Sequence, residues 1–184
     1  MILELFKYFA RYSQKDGVIS MFANGASCLS GYNALLDYVK ALPDPLLPDI
    51  EHLVFGQSLD TVKNRVANIT GTYLFVDYGE FSASRNARNS ILDHQKIAVT
   101  VATKLQDSSD MMEEAVVSDS TLTILAVLLR YLVVDSNAGT VPWLENILSE
   151  YDIIPFVAGE LKSIGWTLIF RSSASDYFDL KQRE

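Results

Sequence analysis

The spacing of apolar residues changes period along the chain. Ile2, Leu5, Phe6 and Phe9 recur at i, i+3, i+4 and i+7, which predicts an opening helix with one apolar stripe. Asp16-Gly17 marks a turn, after which residues 18–22 read as a short strand or as part of a helix, and Asn24-Gly25 marks another turn. Leu35, Leu36, Val39 and Leu42 share one face of a second helix over 32–42. Pro43, Pro45 and Pro48 stop it, because proline lacks an N–H and disfavours helix in the residue before it. That stretch reads as an internal linker. A third helix has Ser58 as its cap, Leu59, Val62, Val66 and Ile69 as its stripe, and Gly71 as its end.

From residue 72 the period becomes two. Tyr73, Phe75, Asp77 and Phe81 fall on one face of a strand over 72–81, and Leu74, Val76, Tyr78 and Glu80 fall on the other. A polar stretch, 82–90, leads to a second run, 91–105. There Ile97, Val99 and Val101 form a dry face, while His94, Lys96, Thr100 and Lys104 form a wet one, with Ala98 and Ala102 between them. The two runs predict a long hairpin with a polar tip carrying Arg85 and Arg88. Asp110 followed by Glu113 resembles a capping box, and Leu122, Leu125, Leu129 and Leu132 continue a core stripe. Ser118 or Asp119 is a natural point of division into two helices. Residues 122–134 are the greasiest stretch; with Arg130 inside it and fewer than about 20 residues, it reads as a buried helix and not a membrane span. A helical turn over 143–148, strands over 152–157 and 165–171, and a polar, fraying tail from Ser172 complete the pattern.

Helices followed by β-β-α-β-β predict an α+β fold: a mainly antiparallel four-stranded sheet covered by a long helix, with an N-terminal helical region. The expected division is 1–71, the helical region packed on the main domain, and 72–184, the α+β domain.

The 184 residues carry 15 Lys+Arg against 23 Asp+Glu, a net charge of −8, which opposes attraction to nucleic acid and to anionic membranes. No partner of either kind is expected. The opening segment contains Glu4, Lys7 and Arg11 and lacks a small-residue cleavage site, so it does not read as a targeting peptide. With one cysteine, Cys28, an intrachain disulfide is impossible, and a reducing cytoplasm is the simpler expectation.

No motif specifies catalysis. Asp93 and His94 alternate across a strand and cannot pair. Asp77 and Glu80 likewise face opposite ways in a regular strand. His52, His94 and Cys28 are scattered, so no metal site or other cofactor is expected. The acids from Asp107 to Glu114 suit a helix start better than a calcium loop. Gly25 and Gly31 lack the phosphate-loop pattern, and Cys28 has no basic neighbour to activate it. An enzyme is not expected. Numerous tyrosines (Tyr8, Tyr12, Tyr32, Tyr38, Tyr73, Tyr78, Tyr151) rim a core or supply an interface. A hairpin with one wet face and a basic tip suits contact with a neighbour, making Arg85, Arg88, His94, Lys96 and Lys104 the expected interface.

The block YLFVDYGEFSASRNARN through ILDHQKIAVTVATKL, the helix MMEEAVVSDSTLTILAVLLRYL, then YDIIPF and GWTLIFR resembles phage tail terminator and head–tail completion proteins in element order. The resemblance spans about residues 72–172; the helical first third departs from a minimal version of that pattern. It implies a non-enzymatic structural subunit, of phage or prophage origin and cytoplasmic or virion-associated, forming a homo-oligomeric ring with other structural proteins. The hairpin tip would meet adjoining subunits or the tube, and an acidic lumen would let DNA slide without sticking. The alternative is a soluble adaptor or binding domain of unknown ligand.

Overall fold

The computed structural model describes residues 2–23, 25, 27–29, 31–85, 91–107, 109–144 and 151–174. Helix α1 (Ile2–Ala10) buries Leu5, Phe6 and Phe9 of the stripe expected from its spacing, whereas Ile2, at the start of the helix, is exposed. A short helix, α2 (Lys15–Ile19), follows; Asp16-Gly17 lies inside it and not at a turn, and of the ambiguous segment only residues 18 and 19 are helical, none of it strand. A Cβ at Gly17 would run into the Glu51 carbonyl oxygen, so only glycine permits this approach. Helix α3 (Tyr32–Lys40) follows, burying Leu36 and Val39.

The proline-containing stretch is packed and is no linker. Leu47 and Ile50 are buried, and the Leu46 and Leu47 amides donate to the carbonyls of Arg11 and Tyr12. It delivers the chain into β1 (His52–Gly56), a strand absent from the sequence expectation. Helix α4 (Leu59–Ala67) then opens on Ser58, whose side chain accepts from the Thr61 amide while the Thr61 hydroxyl caps the Ser58 amide. It returns the chain to β2 (Thr72–Arg85), which runs parallel to β1. The first third is therefore not helical throughout.

Strands β3 (Ile91–Lys104), β4 (Tyr151–Ala158) and β5 (Ser163–Ala174) complete a sheet in the order β1-β2-β3-β5-β4. The expected four antiparallel strands are thus present, and a fifth, parallel strand lies at one edge. The fold is α+β with a mixed five-stranded sheet and a long helix.

That helix, α5 (Met111–Asn137), is continuous across the point where two helices were anticipated. Ser118 does not cap a second helix; its carbonyl and hydroxyl accept the Trp166 indole N–H at 3.0 and 3.1 Å. Asp110 caps α5 through the Met112 and Glu113 amides. Glu113 does not complete the box: its carboxylate reaches the Gln106 and Asp107 amides instead. Only one face of α5 is buried, through Thr121, Ile124, Leu125, Leu128 and Leu132, so it is not the enclosed core helix its composition implied. By length and composition it is also apolar enough to cross a membrane.

The main core lies between this face of α5, α1 and the dry face of the sheet, where Leu53, Leu74, Val76, Ile97, Val99, Val101, Leu168 and Phe170 meet. A smaller core on the opposite face joins Val54, Tyr73, Phe75 and Ala102 to Val66 of α4 and to Leu161 of a 3₁₀ turn (Gly159–Leu161). The tail is ordered further than its polarity indicated. Ser172 is buried in β5 and its hydroxyl donates to the Trp143 carbonyl at 2.6 Å.

Candidate interaction surface

The hairpin expected from alternation is present, and its strands pair from Thr72↔Thr103 to Arg85↔Ile91. Its first strand is irregular. Asp77 lies opposite Ala98 and Glu80 opposite Lys96, so β2 uses one more residue than β3 across this interval. Asp77 turns back on itself at the bulge, its Oδ1 accepting the Gly79 amide at 2.9 Å. Gly79 is required there, since a Cβ would run into the Gln57 carbonyl.

The bulge reverses the face assignment beyond it. Phe81 lies opposite Gln95 in the register. Glu80 joins the face of Asp77 and Lys96, contrary to the regular alternation. Glu80 and Lys96 form an exposed ion pair at 3.2 Å. Burial, and secondarily the nearby Glu80 charge, push the Asp77 carboxyl above its ordinary value.

The wet face of β3 is only half wet. Thr100 and Ala102 are buried, and α4 and the Gly159–Leu161 turn pack against Ala102. Thr100 exchanges a 2.7 Å hydrogen bond with Thr167 of β5. Lys104 donates to the Ala67 carbonyl at 3.2 Å, placing its charge on the C-terminal end of α4, where the helix dipole favours it. Lys96 remains exposed toward the hairpin tip. Arg85 is the last residue of β2, and His94 lies opposite Ser82 and Ser173 in the register. Arg88 lies outside the described residues.

Two features had no sequence signal. The first ties α1 to α5: the Tyr8 hydroxyl donates to Asp135 at 2.7 Å, Arg11 to the same oxygen at 3.1 Å, and Tyr12 to the Tyr8 hydroxyl at 3.0 Å. The Arg11 guanidinium also sits 4.3 Å from the Tyr8 ring centroid. Burial above all, then Tyr12 and Asp135, hold the Tyr8 hydroxyl far above its ordinary pKa, so it stays a donor. Tyr12 and Tyr73 are likewise core residues, whereas Tyr151 is exposed. The i, i+3, i+4 spacing of Tyr8, Arg11 and Tyr12 places them on one helix face, but nothing in the sequence pairs them with Asp135.

The second is a cleft of about 490 Å³ lined by Ser20, His52, Asn64, Arg65, Asn68, Ile69 and Thr70. Among the described residues Arg65 and His52 are its ionisable groups, and the Arg65 guanidinium donates to the Gly17 and Ser20 carbonyls and to the Ser20 hydroxyl. Its charge thereby completes the C-terminal end of α2. Cys28 is exposed, and among the described residues no three His, Cys, Asp or Glu side chains group to hold a metal. The acids at 107–113 serve the start of α5: Asp107 accepts the Ser109 amide, and Asp110 and Glu113 accept the amides named above. Exposed Tyr151, Ile153, Ile154 and Val157 lie on edge strand β4, and Glu80 and Lys96 pair on the hairpin. No protein-family model, curated protein or solved structure matches this chain.

Proposed function

We propose that this chain is a non-enzymatic structural subunit that assembles with copies of itself and with other structural proteins, as phage or prophage tail terminators and head–tail connectors do. One observation carries this reading. The β1 partner of β2 ends at Asp77, whereas pairing of β2 with β3 continues to Arg85. The hairpin therefore runs on beyond the parallel edge strand, with the main-chain edge of residues 78–85 outside the β1 pairing. A strand edge of this kind is a template for contact with another chain. Its exposed Glu80 and Lys96 set register and orientation more than affinity. The net charge of −8 suits a ring through which nucleic acid passes without binding, in a cytoplasmic or virion-associated particle.

Light scattering coupled to size exclusion, with negative-stain microscopy, tests this. The expected result is a closed ring whose mass is a multiple of the 20.5 kDa chain, and its loss in Arg85→Glu/Arg88→Glu with the fold unchanged. A wild type that stays monomeric throughout the micromolar range would overturn the reading and favour a soluble adaptor domain.

A further inference from the structure

We infer that copies of this chain pair face to face through an apolar trough between edge strand β4 and the adjoining flank of α5. The inference rests on the homo-oligomer reading above and assigns one of its contacts to the opposite edge of the sheet from the β1 side.

The register builds the floor. Tyr151, Ile153 and Val157 lie opposite Phe170, Leu168 and Ile164 of β5. Leu168 and Phe170 belong to the core under α5, so these β4 side chains point to the same side as that helix. Helix α5 runs along β5, from Ser118 at the Trp166 indole to Ser136, whose hydroxyl donates to the Leu144 carbonyl. Leu122, Leu129 and Val133 continue the Ser118–Ser136 flank at helical spacing and form the wall. All three are partly exposed, and Ala126 between them is exposed. Among the described residues, the side chains named for floor and wall are all uncharged.

Three considerations select a second copy as the occupant. The first is area. Tyr151 is 41% exposed, Ile153 37% and Val157 70%. With the helix wall these amount to roughly 450 Å² of apolar surface, which matches the apolar share of an interface burying about 800 Å² per partner. The second is charge. Chains of net charge −8 repel one another over most of their surface, and an uncharged trough is where two of them can approach closely. A basic partner would find no acidic group among the floor and wall side chains named above. The third is the strand itself. Pro155 has no N–H and Asp152 puts a charge on β4, both of which oppose hydrogen-bonded addition of another strand. Side-chain packing across a two-fold axis is the contact this edge permits.

The test is sedimentation velocity and light scattering on the full chain. The variant is Ala126→Glu/Val157→Glu, both at exposed positions. Val134→Glu, exposed on a different flank of α5, controls for added charge. The expected result is a wild type at an even multiple of 20.5 kDa, a mass at least twofold lower in the double variant, and an unchanged mass in the control, with all three equally helical by circular dichroism. If the wild type assembles and the double variant assembles equally, the trough assignment fails while the homo-oligomer reading stands. A monomeric wild type overturns both; if that monomer co-sediments with phosphatidylcholine vesicles, the trough is a lipid surface instead.

Discussion

Replacing Asp135 with alanine removes the one acceptor shared by Tyr8 and Arg11, and its cost follows from the geometry. The Tyr8 hydroxyl donates to a carboxylate at 2.7 Å from a buried position, a bond worth about 1.5–3 kcal/mol. The Arg11 contact at 3.1 Å joins side chains 35% and 27% exposed, where solvent screening leaves about 0.5–1 kcal/mol. Arg11 keeps its bond to the Tyr8 carbonyl and its stacking on the ring, so no charge is stranded. The expected loss is therefore about 2–4 kcal/mol, and in a chain of this size each kcal/mol lowers Tm by about 2–4 °C. Calorimetry and urea unfolding of Asp135→Ala, Tyr8→Phe and the double variant measure it. The two single changes should couple by about 1–2 kcal/mol, because each removes the same bond. A destabilisation below about 1 kcal/mol, or strictly additive variants, would mean that this network does not hold α1 against α5.

Two further outcomes follow from local geometry. Gly17→Ala should cost about 1–3 kcal/mol, since its Cβ meets the Glu51 backbone, whereas Gly159→Ala, with open space around it, should unfold at the wild-type urea midpoint; equal midpoints for both would refute the close approach. Carboxyl NMR titration should place Asp77 above 3.8, because burial opposes its ionisation, and Asp107 below 3.8, because the Ser109 amide and hydroxyl stabilise its charge. The stabilising contribution of protonated Asp77 is then lost as pH rises through its folded-state pKa; that of Asp107 is present above 3.8 and lost as pH falls through its own. Titration of both on the same side of 3.8 would contradict these assignments.

Where a residue's environment is made by its chain neighbours, the sequence alone was enough. The α1 stripe, the Ser58 cap, the start of α5 at Asp110 and the dry face of Ile97, Val99 and Val101 all depend on spacing within a few residues, and so does the hairpin joining β2 to β3. Tertiary structure decided the rest. The five residues of β1 are too short a run to declare a period, and their parallel pairing exists only because α4 carries the chain back across the sheet. The bulge at 77–80 needs the Gln57 carbonyl beside Gly79, and it alone moves Glu80 onto the face of Lys96. Ala102 looks solvent-facing by alternation until α4 and the Gly159–Leu161 turn close over it. The reverse holds for α5 and β4, whose apolar residues imply burial but remain open along one side. Periodicity reports which face of an element is apolar; what covers that face depends on contacts between residues far apart in the chain.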